Sequence, residues 1–192
     1  MATSDSSERA RRSWAKFLHP ELIKHNLLLC GLYLTAYELL RASVVDQVRS
    51  FFTKGVLPED RRVDSTYARD VLALNPKDTM HASSLWLQRN GALDENDVAD
   101  IQRVREHRNA IAHEIPKFIA DADHNVELDL LQTIQRLIAK VDRWWIRNVH
   151  MTVDPQFDGV EVEESDIQSG TMVAFDLALR MALGEPDPKT LA

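Results

Sequence analysis

The residues best suited to chemistry lie in one short polar run, from Arg105 to Glu114, which reads R-E-H-R-N-A-I-A-H-E. Arg108 carries a permanent charge that can bind a phosphate group. His113 carries an imidazole that can accept or donate a proton near neutral pH. Asn109 lies four residues before His113, so its amide can hydrogen-bond one imidazole nitrogen on the same helix ridge. Together these groups combine a cation that needs an anion with a side chain suited to proton transfer.

The run is predicted to lie on an amphipathic helix. Arg108 falls on the apolar stripe of that helix, so its charge must face an anion in the interior or in a partner. Arg108 and His113 are five residues apart, about 140° around a helix. One helix therefore points the two groups apart, whereas two copies across a dyad would bring both pairs into one cleft. The stripe is formed by Val98, Ile101, Val104, Ile111 and Ile115.

The run from Arg108 to His113 resembles the Arg-x(4 to 6)-His signature of HEPN domains. Four residues separate the Arg from the His, an Asn directly follows the Arg, and the residues before the Arg have a helical pattern. HEPN domains are helical bundles, and many are metal-independent ribonucleases of toxin–antitoxin, antiphage and RNA-processing systems. The motif spans six residues, and the supporting helical pattern covers about residues 21–149. The resemblance implies an all-α, HEPN-like helical bundle in which Arg108, Asn109 and His113 are catalytic.

Two carboxylates are expected to support these three residues, namely Glu38 and Glu106. Glu38 is the only charged residue between Lys24 and Arg41 in an otherwise apolar segment, so it must be paired or protonated. Its partner is either Arg108 or Arg41, three residues further on. The resemblance favours Arg108, because many family members carry an acidic residue on an earlier helix.

A basic ridge is predicted on the helix over residues 126–150. It is either a solvated face or a guide for the RNA backbone. Arg105, next to the motif, is a further candidate for RNA contact. The ridge consists of Arg136, Lys140, Arg143 and Arg147, at spacings of four, three and four residues.

Composition limits the remaining possibilities. The chain has 192 residues, 44% of them hydrophobic, which is enough for one domain with a sizeable core. Its net charge of −7 arises entirely in residues 150–192. The remaining residues, 1–149, carry no net charge. This neutrality does not favour broad electrostatic capture of RNA, so selective or partner-delivered RNA is expected. The single cysteine, Cys30, and the absence of a secretory signal indicate a cytoplasmic protein. The apolar run over residues 27–40 is expected to be too short to span a membrane.

The predicted architecture has two parts. Residues 1–150 form the helical bundle, with a long central helix over residues 21–52 and a loop over residues 53–64. Residues 151–192 form an acidic appendage that consists of a short β-hairpin, with its turn at Asp158-Gly159, and a last helix over residues 170–183. Predicted helix caps are Ser65 or Thr66, Asp78, and a capping box of Asp94 and Asp97.

Two functions from different classes follow. The first is a metal-independent endoribonuclease that needs no cofactor, because RNA supplies its own nucleophile, the 2′-hydroxyl. It would leave a 2′,3′-cyclic phosphate and act as a homodimer. The resemblance to HEPN domains implies a role in toxin–antitoxin or antiphage defence, with an antitoxin or a nucleotidyltransferase-type protein as partner. The second is a non-catalytic interaction or regulatory module of the same fold. A purely structural bundle would leave the position of Arg108 unexplained.

Overall fold

Eight α-helices and one two-stranded sheet make up the described part of the computed structural model, which comprises residues 2–55, 62–151 and 169–184. The helices are α1 (Ala2–Phe17), α2 (Pro20–Arg41), α3 (Gln47–Phe51), α4 (Ser65–Asp70), α5 (Thr79–Arg89), α6 (Glu95–Ala120), α7 (Leu128–Trp145) and α8 (Gly170–Leu183). A 3₁₀ turn, Leu72–Leu74, follows α4, and π-helical turns, Ala42–Asp46 and Ile146–His150, follow α2 and α7.

Helix α2 is the centre of the bundle, as its apolar sequence predicts. It packs against α1, α6, α7 and α8, and its side chains Tyr33, Ala36 and Leu40 are completely buried. The Tyr33 hydroxyl donates a hydrogen bond to the carbonyl of Val104 at 3.1 Å, which fixes α2 against α6. The π-helical turn Ala42–Asp46 carries the same helical course into α3.

The helical course Pro20–Phe51 is long and apolar enough to cross a membrane by length and composition alone. Half of its most apolar window is buried inside the bundle, however, and core helices of soluble proteins meet the same criterion.

Helix α6 carries the polar motif and has the predicted beginning. Asp94 accepts a hydrogen bond from the backbone N–H of Asp97, and the Asp97 side chain accepts one from the backbone N–H of Asp94, so the capping box is present. Ile101, Val104 and Ile111 on its apolar stripe are buried.

The helix is kinked near its end. Pro116 has no N–H to offer the carbonyl of Ala112, and Glu114 has non-helical dihedrals of φ −129° and ψ 27°. The kink therefore begins directly after His113.

Helix α8 contributes to the same core as the other helices. Phe175 and Leu179 are buried in the common apolar cluster, and the side chain of Gln135 on α7 donates a hydrogen bond to Asp176 at 2.9 Å. Although the sequence places this helix in an appendage, its packing against α2 and α7 makes it part of the bundle.

Three further details differ from the sequence-based expectations. The segment expected to be a loop contains strands β1 (Thr53–Lys54) and β2 (Arg62–Val63), which pair antiparallel. The cap of α4 is Asp64, whose carboxylate accepts from the backbone N–H of Thr66, rather than Ser65 or Thr66. The predicted hairpin around Asp158-Gly159 lies outside the described residues.

Candidate functional site

Arg108 lies at the edge of the bundle with its guanidinium held by neighbours from two helices. Its Nη2 donates to Glu38 Oε1 at 3.1 Å, and its Cζ lies 5.3 Å from the centre of the Tyr37 ring. Its Nη1 donates to Asn109 Oδ1 at 3.4 Å. Its Nε is buried and has no hydrogen-bond partner among the described residues. The guanidinium is thus fixed in position, although its hydrogen-bonding capacity is incompletely used.

Of the two partners predicted for Glu38, Arg108 is the one in contact with it. Arg41 instead approaches Asp46, with Nη1 3.5 Å from Oδ2. The Glu38 side chain is 53% exposed and that of Arg108 is 32% exposed. Because α2 and α6 present this pair at the rim of the bundle, water screens it.

Asn109 and His113 are both exposed on α6. The side-chain oxygen of Asn109 accepts from Arg108, so the predicted hydrogen bond between Asn109 and the imidazole is replaced by a local contact. Because Glu114 is where the backbone leaves helical geometry, the segment from Arg108 to His113 remains regular helix. The two side chains therefore diverge as predicted, by about 140° on one chain.

The expected supporting carboxylate Glu106 points elsewhere. It is exposed and accepts a hydrogen bond from Gln102 Nε2 at 2.9 Å, one helical turn earlier. This contact is an ordinary surface pair at i, i+4.

The basic ridge on α7 and the π-helical turn that follows it is half neutralised. Arg136 donates to Asp97 at 2.6 Å and to Asp100 at 2.8 Å, while Lys140 contacts Asp97 and lies 2.8 Å from Asp94. Asp97 is only 1% exposed, so this cluster joins α6 to α7. Arg136 and Lys140 are consequently not free to guide RNA. The sequence signal that was missed is the spacing of the three aspartates on the facing helix, at positions 94, 97 and 100.

The other two members of the ridge have different surroundings. Arg143 is half-buried and Arg147 is exposed, and neither forms an ion pair within residues 2–55, 62–151 and 169–184. They are the part of the ridge that can contact a phosphate backbone.

His107 has a structural role between two helices. Its Nε2 accepts a hydrogen bond from the backbone N–H of Glu127 at 3.1 Å, and its ring packs edge-on against Tyr33 with centroids 4.9 Å apart. Burial lowers the pKa of His107, although Glu127 and Asp129 oppose the shift. The imidazole is therefore held neutral between α6 and the start of α7.

Arg105, proposed to contact RNA, forms an ion pair with Asp78, the N-cap of α5. Both line an open cleft of 680 Å³ between α2, α3, α4, α5 and α6. Tyr37, beneath the Arg108 guanidinium, lines the same cleft. Besides Arg41, which pairs with Asp46, two further cations line it, Arg49 and Lys77. Neither was selected from the sequence, because nothing in their local spacing separates them from ordinary surface charges.

Two results bear on how this site can be classified. In the part of the chain that the structure describes, no group of three or more His, Cys, Asp or Glu residues is arranged to hold a metal ion. In comparisons with known proteins, no family model, no curated protein and no solved structure matched the chain. The resemblance to HEPN domains therefore rests on the Arg108–His113 motif and its helical setting.

Proposed function

We propose that this chain is a HEPN-like, metal-independent endoribonuclease of the cytoplasm. The observation that carries the proposal is the placement of Arg108, which is fixed by Glu38 and Tyr37 at the rim of the bundle while still being one-third exposed. A cation held in this way is pre-organised to meet a phosphate without first losing side-chain freedom. Asn109 and His113 lie exposed within the next five residues.

The proposed reaction uses the RNA's own nucleophile. The 2′-hydroxyl oxygen attacks the adjacent phosphorus as His113 removes its proton, and the bond from phosphorus to the 5′-oxygen breaks as that oxygen receives a proton. Arg108 stabilises the charge on the phosphoryl oxygens, and Asn109 contacts the RNA or the imidazole. The products are a 2′,3′-cyclic phosphate and a 5′-hydroxyl end. In a homodimer, one His113 would act as base and the other as acid.

The test is cleavage of a pool of random-sequence RNA by purified protein in the presence of EDTA. We expect 2′,3′-cyclic phosphate ends, which disappear when His113→Ala or Arg108→Ala is introduced. His25→Ala, at an exposed histidine on α2, is the matched control and should leave cleavage unchanged. Cleavage that persists in His113→Ala, or that needs a divalent cation, would exclude this mechanism.

One observation favours a second candidate, the non-catalytic interaction module. Two of the four ridge cations, Arg136 and Lys140, are bound by carboxylates of α6, which leaves less positive surface for RNA than the sequence implies. For this module, Arg108 would hold α2 to α6 and His113 would be a surface group. Absence of cleavage together with capture of a partner, such as an antitoxin or a nucleotidyltransferase-type protein, would favour it.

A further inference from the structure

Helix α1 is attached to the bundle by its polar face. That face follows the helical period, at spacings of three, one and three residues, and is formed by Arg9, Arg12, Ser13 and Lys16. The Ser13 hydroxyl accepts a hydrogen bond from the backbone N–H of Ala122 at 3.1 Å, and Arg9 reaches Asp121 at 2.6 Å. An amphipathic helix on the surface of a globular protein ordinarily does the reverse and buries its apolar face. The apolar face of α1 therefore points to solvent.

Three large apolar residues at the C-terminal end of α1 form an exposed cluster, which we call the α1 patch. They are Trp14, Phe17 and Leu18, which are 61%, 45% and 70% exposed. Leu18 follows the last residue of α1, but its backbone N–H donates to the carbonyl of Trp14 at 2.9 Å and continues the helical course. The Trp14 and Phe17 rings meet edge-on, with centroids 6.1 Å apart. Contiguous exposed apolar side chains of this kind mark interaction surfaces.

A recess of 300 Å³ lies beside the α1 patch. It is lined by Ala120 of α6 and, on α1, by Ala10, Ser13, Trp14 and Phe17. The four α1 residues have the spacing i, i+3, i+4 and i+7, which is the set that forms a hole for a side chain of a facing helix in knobs-into-holes packing. The recess therefore fits an apolar side chain carried by another helix.

The charged side chains around the α1 patch are paired within the chain. Arg9 and Arg12 contact Asp121 and Asp123, and Arg11 lies 3.0 Å from Glu8. A border of balanced charge does not select a charged partner or an anionic lipid surface. Two copies of this border can also meet without the cost of placing unpaired like charges against each other.

The α1 patch and its recess are complementary to themselves in shape. Leu18 projects from α1 about 7 Å along the helix axis from the centre of the recess, at 1.5 Å per residue. When the α1 helices of two copies run antiparallel about a dyad, the Leu18 side chain of each copy enters the recess of the other. We infer that the α1 patch binds the same patch of a second copy of this chain.

This contact is small and is separate from the motif. The three residues of the α1 patch expose on the order of 300 Å² per copy, whereas a standard interface buries roughly 800 Å² per partner. Association is therefore weak and depends on concentration. The contact uses α1 and the segment of α6 after the kink, rather than Arg108 or His113, so the inference does not depend on RNA cleavage or on a dyad at the motif. In a protein that has both contacts, dimers pair into larger assemblies.

Sedimentation velocity of the full chain at about 1–300 µM, the concentration range of weak complexes, tests the inference. The mean mass of the unmodified protein should rise with concentration and approach twice that of Leu18→Ser. Leu18→Ser removes the projecting side chain and Ala10→Gln fills the recess, so each should weaken the association at least about 10-fold. Met181→Ser is the matched control, because Met181 is 71% exposed on α8, and it should associate as the unmodified protein does.

All four proteins should have the same helical content by circular dichroism, because the substituted residues are exposed. The factor of two in mass applies whether the associating species is a monomer or a dimer formed at the motif, so a protein that never cleaves RNA can still pass or fail this test. The inference is overturned if Leu18→Ser associates as the unmodified protein does, if Met181→Ser weakens association equally, or if the mass does not rise with concentration. Binding to phosphatidylcholine vesicles that is lost in Leu18→Ser, without association in solution, would also overturn it and assign the α1 patch to a lipid surface.

Discussion

Arg108 is oriented by an acidic partner on α2, and the exposure of that pair determines what the contact contributes. Replacing Glu38 with Gln should lower the free energy of unfolding by less than about 1 kcal/mol, because half-exposed ion pairs are screened by water. RNA cleavage should nevertheless fall, because Arg108 loses the group that orients it. Urea denaturation and a cleavage assay measure the two effects.

Glu106→Gln is the control for that substitution, because Glu106 is also exposed but contacts Gln102 on α6. This substitution should change neither the free energy of unfolding nor RNA cleavage. A loss of stability above about 3 kcal/mol in Glu38→Gln would indicate a buried pair instead.

His107 should give the protein a measurable dependence of stability on pH. The folded protein holds its pKa below the ordinary value of 6.5, so the unfolded chain binds more protons as the pH falls below about 6.5. The contribution of His107 to the free energy of unfolding should therefore be constant above that pH and should decline below it. As the pH is lowered from 7.5 to 5, the denaturation midpoint should decline less steeply in His107→Gln than in the unmodified protein. His25→Gln is the control and should decline as the unmodified protein does. Equal slopes in all three proteins would show that His107 titrates normally.

The cluster of ion pairs between α6 and α7 joins the two helices, and Asp97 lies at its centre. Asp97→Ala removes the capping-box acceptor and two charged contacts, so we expect a loss of about 2–4 kcal/mol in the free energy of unfolding. Asp100→Ala, which removes outer contacts to Arg103 and Arg136, should cost less than about 1 kcal/mol. Equal effects of the two substitutions in chemical denaturation would contradict a special role for the buried carboxylate.

Helix α8 is the element whose packing was least evident from sequence. Phe175→Ala should lower the free energy of unfolding by about 3–5 kcal/mol, because its ring is buried against the common core. Leu177→Ala, at a position 43% exposed on the same helix, should change it by less than about 0.5 kcal/mol. A small effect of Phe175→Ala would mean that α8 contributes little to the bundle.

The elements that were predictable from sequence are those with strong local signals. The capping box of Asp94 and Asp97, the apolar stripe of α6 and the burial of α2 follow from spacing and composition alone. Local spacing cannot show which elements meet in space. Thus the ridge residues Arg136 and Lys140 were identified as cations, but their neutralisation depends on α6 lying opposite α7. The cation pair of Arg49 and Lys77 depends in the same way on tertiary packing.

At the level of the whole molecule, the regular helix between Arg108 and His113 bears on assembly. The kink at Glu114 begins too late to turn His113 towards Arg108, so one chain presents the two groups in different directions. We propose a homodimer with α6 at the dyad, in which each site draws on both chains.

Complementation measures this arrangement directly. Arg108→Ala and His113→Ala proteins should each be inactive, whereas a mixture of the two should regain part of the cleavage activity through mixed dimers. Sedimentation velocity should show a dimer under the conditions of the assay. Full specific activity in a species that sediments as a monomer would contradict the arrangement.

The contacts of α1 have a consequence for the order of events during synthesis. Lys16 donates to the carbonyls of Asp121 and His124 at 2.8 and 2.7 Å, and Arg9 reaches Asp121 at 2.6 Å. These partners are translated 105 to 112 residues later, which at ribosomal rates corresponds to roughly 5–20 s. The polar contacts of Lys16 therefore fix α1 against the bundle only after the turn that follows α6 has been made.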